Sequence, residues 1–463
     1  MSDRPIVILH GWSDISSSFA PLARLLRAKL GGREIAIVHL ADYITMEDEV
    51  RFDDLVSAME RAWRDNDLPT GRGGVDAIVH STGALVMRDW LQRNYEPRDA
   101  PIKNLVMLAP ANFGSPLAHK GRSLPGRIWK GFIGKVPPGA AFQTGTRILK
   151  GLELASPHTW ELAERDRFGD GGTMYSQGNV LCTVLVGQNA NRALNAVANE
   201  DGWDGTVRVA TANMDCARMR VIFPRDPDGA DPVVHEPEPS SGMTAFGILD
   251  AHDHGTIKLT QARRRLLADV ENMRRDGSLF FDIVKSLTVT DDRFETWRDE
   301  LSMRNDALLD RAYRARRPEK HAYQNTVIRV EDQYGVGVED YLLEFFERDD
   351  DRTRNSRRLH RAAFRSVHAY SDDRSYRSFY IDCTSLFRSI DRNTEFLGVS
   401  ICAHPEMEGE TPVGFAAFGQ GGRGGLRIMH RDLHDFFAPN RTLLLTLQLT
   451  RQQSGSVFKL RQI

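Results

Sequence analysis

The stretch Val75-Asp76-Ala77-Ile78-Val79-His80-Ser81-Thr82-Gly83-Ala84-Leu85-Val86 constrains this chain more than any other. It begins as a short apolar run after Gly73-Gly74. It ends in Leu85, Val86, Trp90 and Leu91, which recur at helical spacing. Ser81 falls at the junction. A side chain there sits on a sharp strand-to-helix corner with its hydroxyl exposed, and small neighbours keep the adjoining backbone clear. The first helical turn aims free N–H groups and a positive dipole end at whatever reacts with it. The pattern is one glycine short of Gly-x-Ser-x-Gly, because Val79 takes the first glycine position. By itself it fits an ordinary serine at a turn equally well.

The surrounding chain alternates strand and helix. Pro5 to Leu9 is a continuous apolar run, as in a buried parallel strand. Phe19, Leu22, Leu26 and Leu30 trace a helix face closed by Gly31-Gly32. Ile35 to Leu40 is strand-like, and Phe52, Leu55, Val56, Met59 and Trp63 form a second amphipathic helix. Asn104 to Ala109 and Val180 to Val186 add strands after the Ser81 unit. This alternation predicts a mostly parallel sheet covered on both faces by helices. With 463 residues the chain is too long for one core of ordinary size, so two domains are expected.

In such a sheet, chemistry collects at the carboxyl ends of the strands. The first strand runs into His10-Gly11-Trp12-Ser13. Gly11 lets the backbone turn close to a substrate. The Trp12 N–H can then donate to an oxyanion together with the Thr82 N–H. His10 holds that loop in this reading. The loop Ala109 to Leu117, which contains Phe113, is placed beside an acyl or alcohol pocket. A third loop carries Glu200, Asp201 and Asp204, the last in Asp-Gly-Thr-Val. A base histidine needs a carboxylate to fix its tautomer, and Asp204 fits that place, with Asp201 and Glu200 as rivals. The fourth loop reads Asp250-Ala251-His252-Asp253-His254-Gly255-Thr256-Ile257. His254 is preferred over His252 because Gly-Thr-Ile can start a helix after it. The His-Asp-His alternation also resembles metal ligands. No further ligands gather there, so the reading includes no metal and no cofactor.

These five loops, in this order, resemble the α/β-hydrolase fold, in its branch of lipases and lipase-like serine esterases. The matching residues are Val7 to Trp12, His80 to Gly83, Leu108 to Leu117, Asp204 to Val207 and Asp253 to Ile257, with Leu152 to Pro157 leading to Glu161-Leu162. Val79 and Ala84 depart from it, each standing where a glycine is common. The resemblance implies acyl transfer. Ser81 attacks an ester carbonyl, His254 takes its proton, Asp204 orients His254, and the Trp12 and Thr82 N–H groups hold the oxyanion. The implied function is a lipase or esterase. A phospholipase or thioesterase with the same triad, an amidase and a non-catalytic hydrolase-like binding protein remain as alternatives.

The hydrolase part is read as residues 1–285, with a cap or lid insertion at about 117–175. That insertion is far longer than a usual connection. Within it Ile128, Trp129, Phe132 and Ile133 crowd among basic residues, which suits a lipid–water boundary. Trp129 and Phe132 serve equally well as a fixed cap over the substrate. Residues 286–319 read as a charged helical connector. Residues 320–463 read as a C-terminal all-β, sandwich-like accessory domain, from several short strands ending in the alternating Leu445 to Thr450. Asp349-Asp350-Asp351 there is a solvated turn or a calcium loop.

Composition excludes some partners. A formal net charge of -2 gives no global pull toward nucleic acid or an anionic surface. No apolar run is long enough to span a bilayer, and the first strand starts too early for a signal peptide. A cytoplasmic location, or export without a cleaved signal, is expected. Cys182, Cys216, Cys383 and Cys402 stand too far apart in sequence for a cysteine metal motif and are expected to be buried thiols. The oligomeric state is left open.

Overall fold

The computed structural model describes residues 3–9, 18–45, 47–118, 145–189, 200–259, 278–315, 317–347, 352–390, 395–407, 411–419 and 424–454. The proposed positions His10, Gly11, Trp12, Trp129 and Phe132 lie outside these residues, as does the acidic run 349–351. The chain divides into two compact units. The first is Met1–Asp215 with Ser240–Lys320, and the second is Cys216–Pro239 with His321–Ile463.

The first unit is built on a sheet of six strands: β1 (Ile6–Leu9), β2 (Ile35–Val38), β3 (Val75–His80), β4 (Ile102–Leu108), β5 (Leu181–Gly187) and β9 (Thr244–Leu249). Their spatial order is β2-β1-β3-β4-β5-β9, and every pair is parallel. The apolar runs of β1, β3 and β5 are buried throughout, because helices cover both faces. Those helices include α1 (Ala20–Lys29), α2 (Phe52–Asp65), α3 (Thr82–Asn94), α4 (Thr146–Leu152) and α5 (Pro157–Arg167). The strand order reverses between β1 and β3. The carboxyl ends of these two strands therefore open a crevice between neighbouring loops.

Two helices complete this unit, α6 (Leu279–Thr288) and α7 (Asp291–Ala315). The sequence reading makes a connector of residues 286–319. In the structure Phe294, Trp297 and Leu301 of α7 are buried with Leu181 and Ala245 of the sheet. The reason is the open edge of β9. Asn305 Oδ1 accepts from the Ile248 N–H at 2.9 Å, and its Nδ2 donates to the Phe246 carbonyl at 2.8 Å. One side chain thus bonds the edge as a neighbouring strand would, and the helix hides the edge from other chains. Gly247 permits the approach, since a Cβ there would stand 2.9 Å from Leu301 Cδ2.

The second unit holds a mixed sheet in the order β12-β13-β10-β17-β6-β7, with β8 also on β6, and a three-stranded sheet β11-β14-β16. The strands are β6 (Cys216–Ile222), β7 (Val233–Val234), β8 (Glu238–Pro239), β10 (Tyr323–Asp332), β11 (Tyr341–Phe346), β12 (Phe364–Ala369), β13 (Tyr376–Asp382), β14 (Phe396–Ala403), β16 (Leu426–Met429) and β17 (Thr442–Leu449). A short pair, β15 (Val413–Gly414) with β18 (Gln452–Gln453), stands apart. Residues of the two larger sheets share one core that includes Ile328, Leu445, Phe345 and Ile401. This is a sandwich arrangement. Its described helices include α8 (Arg352–Ala363) and α9 (Cys383–Ser389).

Central β17 is parallel to both neighbours, β10 and β6. The strand β6 comes from the middle of the first unit's sequence, a contribution absent from the sequence reading. Its pattern explains the choice. Ala217, Met219 and Val221 point into the core, while Arg218 and Arg220 form exposed or half-exposed pairs with Glu238 and Glu331. All four cysteines are buried thiols. Among the described residues no helix is long and apolar enough to cross a membrane.

Candidate active site

Ser81 is the residue between β3 and α3, with φ 54° and ψ -125°. That backbone region is strained for a residue with a Cβ, at a cost of about 1–3 kcal/mol. The corner is tight in spite of Val79 and Ala84, which are both fully buried. Two contacts hold it: the Ser81 N–H donates to the Leu108 carbonyl at 3.2 Å, and the Ala84 N–H donates to the Ser81 carbonyl at 3.2 Å. Thr82 begins the helix, so its N–H belongs to the first turn, where the positive end of the dipole lies.

Asp204 and His254 come together beyond the ends of β5 and β9. His254 Nδ1 lies 2.9 Å from Asp204 Oδ2. The carboxylate is held from its other side, because Oδ1 accepts from the N–H groups of Thr206 and Val207 at 2.9 and 2.8 Å. The backbone reinforces the pair: the His254 N–H donates to the Asp204 carbonyl at 2.9 Å. Both side chains are buried. With a carboxylate on Nδ1, the neutral imidazole carries its proton there and presents Nε2 as a base. Glu200 instead accepts from Arg208 Nε at 2.8 Å, away from His254. His252, whose pKa burial pushes down, uses its backbone N–H on the Leu249 carbonyl.

Two residues of this site were missed in the sequence. His80 precedes Ser81, and its Nε2 donates to the His254 carbonyl at 3.3 Å. The two imidazoles stand 4.6 Å apart at 47°. The histidine next to Ser81 therefore steadies the histidine that pairs with Asp204. Gly187 ends β5, and a Cβ on it would fall 2.2 Å from the His252 carbonyl oxygen and 3.3 Å from Asp204 Cβ. Only a glycine lets these two loops close. Gly187 was readable as a strand-ending glycine, but its neighbours are set by the fold.

Ser81 and Thr82 open onto a cleft whose wall includes Leu117, Leu149, Leu152 and Val207. Ser115 anchors its floor, with Oγ donating to the Thr206 carbonyl at 2.7 Å. Phe113, whose loop the sequence places beside an acyl or alcohol pocket, is not among the lining residues of this cleft. It is 1% exposed, and the Arg88 guanidinium lies 6.0 Å from its ring centre. A buried cation takes the aromatic face as one of its partners, and this turns Phe113 inward.

No family model matches the chain, and no curated protein matches it. Among solved structures, phospholipase PlaB from Legionella pneumophila is similar with a TM-score of 0.79 at 22% identity, covering 99% of this chain and 96% of that one. The same protein in complex with thio-NAD gives 0.78 at 23%, with the same coverage. A likeness at this identity is one of fold, and it runs along both units. The chain thus has the α/β-hydrolase fold, together with a second, β-rich unit.

Proposed function

We propose that this chain is a serine hydrolase that cleaves carboxylic esters of lipids through an acyl-enzyme on Ser81. The observation that carries the reading is the buried Asp204–His254 pair at 2.9 Å, in a sheet that presents Ser81 on a strained corner. His254 takes the Ser81 proton as the hydroxyl attacks the ester carbonyl. Asp204 keeps the ring in the productive tautomer and stabilises the imidazolium. The Thr82 N–H and the Trp12 N–H receive the oxyanion. His254 then protonates the departing alcohol, and water repeats the cycle on the acyl-enzyme.

The apolar wall of Leu117, Leu149, Leu152 and Val207 favours an acyl chain over a polar substrate. PlaB is a phospholipase by name, so phospholipid is the first lipid ester to test. Trp129 and Phe132 of the insertion are proposed to meet the substrate or a lipid–water surface. Ser81→Ala should abolish both labelling by a fluorophosphonate probe and hydrolysis of phospholipid and short-chain ester. Persistent labelling in that variant would move the nucleophile elsewhere. A wild-type protein that never labels would make the fold a binding scaffold.

A further inference from the structure

We propose that Cys402, His404 and Glu406 in the second unit form a site for one divalent cation of the zinc type. The three residues stand at alternate positions, Cys402 in the last pleat of β14 and His404 and Glu406 just beyond its end, so an extended chain sends their side chains to one side. On a flat strand the outer two Cα atoms would stand roughly 13 Å apart. Here the thiol, imidazole and carboxylate ligand atoms all lie within 4.8 Å of one another. The chain curls around a point in front of it, and the backbone is pinned on both sides of the curl. Cys402 pairs with Leu342 of β11, and the His404 N–H donates to the Asp340 carbonyl at 2.9 Å. Glu406 is bridged to Phe415, whose N–H donates to the Pro405 carbonyl at 2.9 Å.

The donor set selects the ion. One sulfur, one imidazole nitrogen and one carboxylate oxygen suit zinc and its neighbours, whereas magnesium and calcium want oxygen alone. Ligands of a tetrahedral zinc sit about 3.5 Å from each other. The wider separations among the three atoms therefore need to close by up to about an ångström, which side-chain rotation supplies, while the hydrogen-bonded sulfur and carboxylate oxygen move apart once their proton has left. His404 is exposed and Cys402 buried, so the fourth position faces solvent and takes a water. The Cys402 thiol donates to Glu406 Oε1. That shared proton marks the place of the ion. On binding, the S–H bond breaks, sulfur keeps the electron pair and becomes a ligand, and the proton leaves to buffer. The sequence reading compares cysteines with one another, and the partners of Cys402 are not cysteines.

The test uses the full chain, stripped with a chelator and titrated with Zn²⁺ by calorimetry, then with Co²⁺ under visible and near-ultraviolet absorption. The expected result is one equivalent bound with release of one proton, and a sulfur-to-cobalt charge-transfer band. In His404→Ala and Cys402→Ser the affinity should fall by at least about tenfold, and the band should vanish in Cys402→Ser. His404 is exposed, so its variant keeps the fold and decides the matter even if the Cys402 variant does not express. No binding, binding unchanged in His404→Ala, or a band that survives Cys402→Ser would overturn the site.

Discussion

His80 shows what a neighbour of the proposed nucleophile can do without touching substrate. Its Nε2 hydrogen bond fixes the His254 main chain, and a small misplacement of a base costs rate rather than binding. His80→Phe, which keeps a ring but no donor, should lower kcat roughly tenfold to a hundredfold with KM little changed. His80→Gln can still donate and should recover most of that loss. Equal damage in both variants, measured on one soluble ester, would show that packing and not the hydrogen bond matters. His158 carries a second prediction at this scale. It is half-buried and stacks on Phe52 with ring centres 4.0 Å apart. Burial pushes its pKa down from 6.5 to about 4. The unfolded chain therefore takes up this proton first. The stability from the neutral ring is complete above pH 6.5 and is lost as pH falls toward 4, by up to about 1.4 kcal/mol per unit. Urea unfolding between pH 7 and pH 4.5 should fall less steeply for His158→Phe than for the wild type.

Elements in the first unit are locked together by buried charge as well as by apolar packing. Arg88 of α3 forks onto Asp166 of α5 at 2.7 and 2.8 Å, and neither side chain is exposed to solvent. Its third nitrogen donates to Asn112 Oδ1 at 3.2 Å, and Asn112 Nδ2 donates to the Ala212 carbonyl at 2.7 Å. The helix that follows Ser81 is thus tied to α5 and to the loop after β4. Removing one partner strands the other charge without water. Arg88→Met should cost about 3–5 kcal/mol in chemical denaturation, while Arg88→Met with Asp166→Leu should recover much of it. A double variant no better than the single would mean that the pair itself, and not the orphaned carboxylate, carries the energy. Helix α7 makes a related point about reading elements. Its high charge marks a solvated surface, but Phe294, Trp297 and Leu301 follow a helical stripe. The stripe was legible in the sequence, and the edge strand that it covers was not.

For the whole molecule, the path of the chain alters what can be cut away. Every proposed catalytic residue precedes residue 260, which on sequence alone argues that a chain ending near Arg317 keeps its hydrolase. The strand β6 argues otherwise. Such a chain keeps Cys216–Ile222 but loses β17, its partner over the register Cys216–Thr442 to Ile222–Gln448. A strand stripped of its neighbour, with Ala217, Met219 and Val221 uncovered, is a template for aggregation. The chain truncated near Arg317 should therefore be insoluble or sediment as aggregate. Replacing residues 216–239 by a short linker in the same truncated chain should restore solubility and fluorophosphonate labelling. The ends of that excision are near each other, because Arg167 Nη2 lies 3.4 Å from Asp215 Oδ1 and 3.3 Å from Ser240 Oγ. If the simple truncation is soluble and labels fully, β6 does not depend on β17.

The sequence by itself determined the order and type of the hydrolase elements. Their apolar periods come from contacts within a single strand or helix. Ser81 was legible because its strand, turn and helix are adjacent in the chain. The choice of Asp204 and His254 over Asp201, Glu200 and His252 stood open in the residues, since each rival occupies a loop of similar composition. The tertiary structure decided which carboxylate meets which imidazole, placing Asp204 and His254 within 2.9 Å across 50 positions. It also decided that Phe113 turns to Arg88, that α7 covers β9, and that β6 joins a strand more than 200 residues away. Local periodicity records which side of an element is buried. It does not record which distant surface buries it, because that partner is selected by closing the whole core at once.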